Sequence, residues 1–341
     1  EEQTPTIPKT PVLLLQAEHD AIISWERQNQ LEQHLPHAES HWLNSPHLIL
    51  QVYPETCASR IVEFLGNNKI YYDTIYRTQH RWLRLFIRAG IQADLKTFSS
   101  HGCHGLTALT CVVAETPDTV KSIHPVPPTI LKDQVEILLN TYPVDAIKTG
   151  MLFSKAHLIA IVEILSHKTN IPLVVDPVMV ATSGSSLVDK NAIQTYRDRL
   201  LPLATLITPN MPEAAVLLGQ PVEAEADLES AAKELSERYQ TSVLLKGGHL
   251  PGNSDRLDIL WHNGKAHHFT APKIDIGCTH GTGCTLSAAI TAHLAQGANM
   301  IDAVTTSIDW VHSAILNSFK WQSPSGNTIH CLDHLRSGSL K

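Results

Sequence analysis

The chain has little cysteine, and its spacing excludes more than its number. Six cysteines stand at positions 57, 103, 111, 278, 284 and 331. No Cys-x-x-Cys pair occurs, which removes a zinc ribbon and a thioredoxin-like redox site. Isolated thiols of this kind read as free cysteines of a reducing compartment. Long apolar runs are missing too, so no segment reads as a bilayer span. The opening Glu1-Glu2-Gln3 lacks the basic and apolar pattern of a secretory signal. The first residue is not Met, which reads as a partial or processed chain. Positive charge is short: 26 Lys+Arg against 33 Asp+Glu give a net charge of -7, so no electrostatic footprint for nucleic acid or an anionic membrane is expected. The expected location is the cytoplasm and the expected partners are small molecules. With 341 residues, 43% of them hydrophobic and 17% charged, the chain can bury a large core and hold more than one domain.

Histidine is plentiful, with 20 residues. The pair His267-His268 and the run His330-Cys331-Leu332-Asp333-His334 lack the spacing and support of a familiar metal site. They read as surface histidines.

The stretch with most chemical content is Thr279-His280-Gly281-Thr282-Gly283-Cys284-Thr285-Leu286-Ser287-Ala288-Ala289. A glycine-rich turn here opens an Ala-rich apolar helix. Glycines let backbone amides approach a ligand closely. The helix start adds unsatisfied N–H groups and the positive end of a dipole. Such a turn suits an anion or a phosphoryl group in transfer. Cys284 sits inside it, where a lowered thiol pKa is expected.

Around this turn, residues 89–336 alternate between strand and helix. Short apolar runs at 171–176, 204–208 and 242–246 read as buried parallel strands, with a weaker one at 145–149. Helical patterns lie at 156–167, 190–200, 213–218 and 227–239. Ligands of open α/β sheets gather beyond the carboxyl ends of the strands. Gly150-Met151, Asp176, Pro209-Asn210 and Lys246-Gly247-Gly248 occupy those ends.

Residues 1–66 form a different piece. Strands are expected at 11–16 and 40–43, and helices at 25–35 and 55–65. This order resembles the C-terminal end of an α/β-hydrolase, of the lysophospholipase-like kind. The resemblance places Asp20 as the triad acid and His47 as the triad histidine. No Gly-x-Ser-x-Gly pentad accompanies them. Without a nucleophile this pair performs no acyl transfer.

From Ala89 onward the ordered blocks carry a second resemblance. They are Ala89-Gly90-Ile91-Gln92-Ala93-Asp94-Leu95-Lys96-Thr97-Phe98, Ile147-Lys148-Thr149-Gly150-Met151-Leu152, Asp176-Pro177-Val178-Met179-Val180 with Ser183-Gly184, Leu201-Pro202, Thr208-Pro209-Asn210-Met211-Pro212-Glu213, Leu245-Lys246-Gly247-Gly248-His249, and the turn from His280 to Ser287. Together they resemble the hydroxymethylpyrimidine/phosphomethylpyrimidine kinases of thiamine biosynthesis, members of the ribokinase-like superfamily. The implied architecture is α/β: a mostly parallel sheet with helices on both faces, preceded by the small hydrolase-like fragment. The implied domains are 1–66, a junction at 67–88, the kinase at 89–336 and a tail at 337–341. Pyridoxal kinases are close relatives and stand as the alternative.

The resemblance implies ATP-dependent phosphorylation of 4-amino-5-hydroxymethyl-2-methylpyrimidine and of its monophosphate. It assigns Gly281, Thr282 and Gly283 to the anion hole and Cys284 to the base that takes the substrate's hydroxyl proton. Thr279, His280, Asn210, Glu213 and Lys246 fall on the ATP side. Asn210 and Glu213 also suit the N-terminal cap of the following helix. Asp176 and Glu213 fall where Mg²⁺ is positioned through water. Asp94, Val113, Glu115, Met151 and Val178 map to the pyrimidine contacts; the family commonly carries Gln where Glu115 stands. A homodimer is one assembly it allows.

One departure stands out. The family opens with a strand and a Gly/Ser-rich substrate loop, of which only Ala89-Gly90 remains. Residues 76–88 read Tyr-Arg-Thr-Gln-His-Arg-Trp-Leu-Arg-Leu-Phe-Ile-Arg instead. A frameshift or fusion scar is the preferred explanation, with Arg81-Trp82 matching out-of-frame glycine codons. A catalytically impaired remnant that binds nucleotide is therefore a further alternative.

Overall fold

A computed structural model describes residues 12–17, 27, 30, 33–35, 38–44, 54–67, 90–115, 120–179, 190–248, 255–274, 281–322 and 328–334. The chain divides into two compact units, Glu1–Leu85 and Phe86–Lys341.

In the first unit, β1 (Leu13–Ala17) and β2 (Glu39–Leu43) pair in parallel, Leu13 opposite Glu39 and Ala17 opposite Leu43. Helix α1 (Pro54–Asn67) follows and buries Cys57 and Phe64, seven residues apart on one face. Asp20 and His47 lie outside the described residues, as do 68–89 and 335–341.

The second unit begins with α2 (Ile91–Ser100). The helix starts on Gly90 at φ 66, a left-handed conformation that favours glycine. An antiparallel hairpin of β3 (Cys111–Glu115) and β4 (Val120–Pro125) comes next, then α3 (Pro128–Thr141), which opens with proline in its first turn. The chain continues through β5 (Ile147–Thr149), α4 (Lys155–Leu165), β6 (Leu173–Val175) and α5 (Lys190–Thr195). At Tyr196–Leu200 the helix widens into a π turn and then tightens into a 3-10 turn at Leu201–Leu203. The pattern at 190–200, expected as one α-helix, is therefore two kinds of turn. Arg197 reaches from the wide turn to the Val216 carbonyl, an anchor that sets its direction. Next come β7 (Leu206–Ile207), α6 (Met211–Leu218), α7 (Glu225–Tyr239) and β8 (Ser242–Lys246).

The main sheet has the order β10-β9-β8-β7-β6-β5, completed by β9 (Asp255–His262) and β10 (Lys265–Pro272). Strands β5 to β8 are parallel; β9 and β10 are antiparallel additions. Simple strand–helix alternation thus ends at β8. The β9–β10 turn uses Asn263 (φ 50) and Gly264 (φ 75), the Asn-Gly pair that favours a tight hairpin. After it come α8 (Thr282–Ala295), α9 (Met300–Leu316) and a small hairpin of β11 (Phe319–Gln322) with β12 (Thr328–Cys331). No helix among the described residues is long and apolar enough to cross a membrane.

Strand residues alternate between two cores, as the two-residue period of a strand requires. Val175, Ile207, Val243, Leu245 and Ile259 pack with Leu158, Leu217, Leu228 and Leu235 of α4, α6 and α7. Val174, Leu206, Leu244 and Leu260 pack with Leu286 and Ile290 of α8 and Val304, Ile308 and Val311 of α9. Helices therefore cover both faces, and the strands are apolar on both sides.

Gly247 closes the end of β8 against β9. Its amide donates to Leu257 O at 3.1 Å and faces Asp258 Oδ1 at 3.0 Å. A Cβ at this position would stand 2.1 Å from the Leu257 carbonyl oxygen. Gly247→Ala is expected to lower stability by about 1–3 kcal/mol, the usual cost of overpacking, read as a fall in the urea midpoint.

The third hairpin, β11–β12, leads to His330 and His334, which are buried at 6% and 7% exposure rather than lying on the surface. His334 Nε2 lies 3.2 Å from the Thr285 hydroxyl of α8 and its ring lies against Trp310 of α9. Burial, aided by Lys96, pulls His334 down from 6.5 to about 4. The unfolded chain then binds more protons between these values. The contribution of neutral His334 is full above pH 6.5 and is lost as pH falls toward 4. A His334→Gln chain is expected to lose less stability over that window in urea titrations at fixed pH steps.

Candidate functional site

Four parallel strands end at one edge, and each delivers a polar group there. β5 ends with Lys148 and Thr149; Asp176 follows β6; Thr208 and Asn210 follow β7; Lys246 ends β8. Thr149 O accepts from the Asp176 amide at 3.0 Å, and Lys246 N donates to Pro209 O at 2.9 Å, so the parallel ladder extends into the site.

Asp176 is the centre of a polar network, 2% exposed. Its Oδ1 receives Lys246 Nζ at 3.2 Å and the Thr208 hydroxyl at 3.1 Å, and its Oδ2 lies 3.2 Å from Ser287 Oγ on α8. Burial works against the carboxylate, but Lys246 and then Lys148 outweigh it and hold Asp176 below its ordinary value. Burial also works against Lys246, yet Asp176 and Glu213 keep its ammonium above its ordinary value.

Asn210 and Glu213 form a capping box at the start of α6. Glu213 N donates to Asn210 Oδ1 at 2.8 Å, and Asn210 N donates to Glu213 Oε2 at 2.9 Å. The expected cap is thus present. Burial pushes Glu213 up to about 7; Lys246 opposes this and Asp176 adds to it.

Helix α8 enters over the same edge. Its N-cap, Gly281, has φ 86, the left-handed region that admits glycine freely. A Cβ on Gly283 would lie 3.4 Å from Lys246 Nζ, so the first turn of α8 sits directly against that ammonium. Thr282 and Cys284 are half-buried in the turn. Burial pushes the Cys284 thiol up, with Lys148 and the Gly90 backbone pulling it down. This corrects the lowered value expected for a thiol at a helix start: desolvation exceeds the local positive field.

On the other side, Asp94 of α2 pairs with Lys148 Nζ, which also donates to Cys284 O at 3.2 Å. Burial lifts Asp94 above the usual carboxylate range despite that partner. Lys148 keeps its proton, since Asp94, Cys284 and Asp176 outweigh its own burial. Among the expected pyrimidine contacts, Met151 and Val178 are half-buried just past β5 and β6, and Val113 is half-buried on β3. The Thr110 hydroxyl donates to Met151 O at 2.9 Å and ties that hairpin to the loop. Glu115 ends β3 where the register shifts. Thr279 and His280 lie outside the described residues.

The structure therefore brings Asp94, Asp176, Lys246, Gly283 and Cys284 together, with Asn210 and Glu213 beside them. Sequence reasoning gave no role to Lys148, Thr208 or Ser287. A lysine inside the short apolar run at 145–149 is the one available signal for Lys148. No group of three or more His, Cys, Asp or Glu side chains that could hold a metal occurs among the described residues.

Strand-end charges gathered beneath a glycine-capped helix define the class: an α/β protein of ribokinase-like fold. The chain belongs to the phosphomethylpyrimidine kinase family, whose sequence profile matches residues 88–328. It is 43% identical over 227 residues to the thiamine biosynthesis bifunctional protein ThiED of Geobacter sulfurreducens, covering 67% of this chain and 46% of that one. The chain spans just under half the length of the curated relatives it matches first. It is 40% identical to a hydroxymethylpyrimidine/phosphomethylpyrimidine kinase of Streptomyces coelicolor, covering 72% of this chain and 89% of that one. Among solved structures it is similar to a Bacillus subtilis pyridoxal kinase in complex with ADP, with a TM-score of 0.66 and 33% identity over 73% of this chain and 94% of that one.

Proposed function

We propose that this chain transfers a phosphoryl group from ATP to the hydroxymethyl group of 4-amino-5-hydroxymethyl-2-methylpyrimidine, and then phosphorylates the monophosphate. The observation that carries this reading is the placement of Cys284 in the first turn of α8, with Lys246 against Gly283 and Asp94 across the Lys148 ammonium. Amides of Gly281, Thr282 and Gly283 are suited to the charge on the transferring phosphoryl oxygens. The Cys284 thiolate takes the proton as the substrate oxygen attacks the γ-phosphorus, and ADP leaves. A raised thiol pKa lowers the fraction of thiolate at neutral pH but makes each thiolate a stronger proton acceptor. Lys246 faces the nucleotide phosphates, while Asp94, Met151 and Val178 stand on the pyrimidine side, with Val113 and Glu115 on the neighbouring hairpin.

The donor set fits a magnesium ion held largely by water and phosphate rather than by a closed protein cage. Asp176, just past β6, and Glu213, in the first turn of α6, are hard oxygen donors, but Lys246, Thr208 and Asn210 already engage their oxygens. Mg²⁺ bound there supplies charge neutralisation to the nucleotide phosphates.

The decisive assay is ADP release with ATP and each of three substrates: the pyrimidine, its monophosphate and pyridoxal. Turnover on both pyrimidines is expected. Turnover on pyridoxal alone would replace this reading with the pyridoxal kinase alternative, to which the similarity with the Bacillus subtilis enzyme points. Calorimetric ATP binding without turnover on any of them would establish the impaired remnant. Cys284→Ala is expected to lower kcat by about 10²–10⁴ while leaving the KM for ATP within a small factor. A near-wild-type kcat would return Cys284 to a packing role.

A further inference from the structure

Lys148 is more deeply buried than the family reading requires of a strand residue. Its side chain is 3% exposed and that of its partner Asp94 is 14% exposed. Burying two opposite charges is seldom the most stable way to fill a space, and apolar side chains of similar volume often serve better. What the pair does instead is join three elements. Lys148 belongs to β5, Asp94 to α2, and the third partner, Cys284 O, to the first turn of α8. That same carbonyl lies 3.1 Å from Ser287 Oγ, whose other neighbours are Gly283 O at 3.0 Å and Asp176 Oδ2 at 3.2 Å. The opening turn of α8 is thus held from two sides, by Lys148 and by the Asp176 network.

The charge around the Cys284 sulfur comes from four elements. Lys148 on β5 and, more weakly, Lys246 on β8 favour an anion there; Asp94 on α2 and Asp176 after β6 oppose it. The Gly90 backbone adds a favourable contact. Lys148 and Asp94 touch each other, so each governs how much of the other's field reaches the sulfur.

We propose that Lys148 is a positioning residue for phosphoryl transfer, one ammonium fixing Asp94 on the substrate side to the first turn of α8 and supplying the main positive charge beside the Cys284 sulfur. The charge role rests on the reading of Cys284 as the proton acceptor. The clamp also sets the spacing between Asp94, which faces substrate, and the anion-binding amides.

The test is the pH dependence of iodoacetamide alkylation at Cys284, followed on its own peptide by mass spectrometry so that the other five cysteines do not interfere. Removing the cation with Lys148→Gln should raise the alkylation midpoint and slow the reaction at pH 8 by about tenfold, the equivalent of one pKa unit. Removing the opposing anion with Asp94→Asn should lower the midpoint and speed the reaction. Lys148→Arg should restore the wild-type midpoint. Opposite shifts from two halves of one ion pair are the signature of charge placement; a packing defect would move both the same way. Unchanged midpoints, or shifts in one direction for both, overturn the proposal. If Lys148→Gln does not fold by circular dichroism, Asp94→Asn decides: faster alkylation supports the proposal, and an equal or slower rate overturns it. Because alkylation is read without turnover, its failure is separate from failure of the kinase reading. In an active chain, Lys148→Gln should also lower kcat at least tenfold with little change in the KM for ATP.

Discussion

The buried contact between Lys246 and Asp176 is the constraint on which the rest of the site depends. Two unit charges out of water are costly unless their remaining hydrogen-bonding capacity is met. Asp176 meets it with Thr208 and Ser287 as well as Lys246, and these partners arrive from β7, α8 and β8. The carboxylate therefore does more than pair with a lysine. It dictates that three elements converge at one strand edge, and the glycines of α8 follow from that convergence. A Cβ on Gly283 would come into van der Waals contact with Lys246 Nζ, so the turn lies directly over that ammonium. The positive end of α8 and the Lys246 charge then occupy the same few ångströms, where the repulsion between them is tolerable because Asp176 lies beneath both. An anion entering from outside would find two positive features already paid for by one buried carboxylate.

Much of this arrangement is legible from residue order, and the reason is physical. Parallel strands buried on both faces leave short unbroken apolar runs, so 171–176, 204–208 and 242–246 mark β6, β7 and β8 before any coordinates. The polar residue that ends each run is then placed at the ligand edge by topology alone. Asn210 and Glu213 show the same economy: a capping box is local, so its two residues declare it by their spacing. The weaker run at 145–149 forms the three-residue strand β5, whose hydrophobicity Lys148 interrupts at its centre. That interruption is the part of the site hardest to interpret without coordinates. A lysine in a strand is ordinarily solvated, and the partner that keeps this one charged in the interior lies on α2, more than fifty residues earlier.

What was not legible depends on distance along the chain. The β9–β10 hairpin reverses the parallel rule because the tight Asn263-Gly264 turn joins neighbouring strands antiparallel, and half-exposed β10 carries no unbroken apolar run to mark it as a strand. His330 and His334 look like surface histidines in composition, yet the fold turns them inward against Ser318, Thr285 and Trp310. Cys284 shows the same limit in electrostatic form. Its position at a helix start is evident from Gly281 and Gly283, and a helix start favours a thiolate. The amount of protein packed over the sulfur is a tertiary quantity, and here it decides the sign of the shift.

These differences separate what makes the fold from what makes the chemistry. The sheet needs alternating apolar side chains from β5 to β9, and many sequences supply them. The site carries specific charges at the ends of those strands, buried in pairs that tolerate the loss of neither partner cheaply. Met151 and Val178 lie a further step outward, half-buried just past two strand ends, and the backbone of Glu115 lies at the register shift of the β3–β4 hairpin. A flat ring needs apolar walls and a few directed polar groups. The chain is similar both to a pyrimidine kinase and to a pyridoxal kinase, so one sheet with its strand-end charges is compatible with relatives named for different rings.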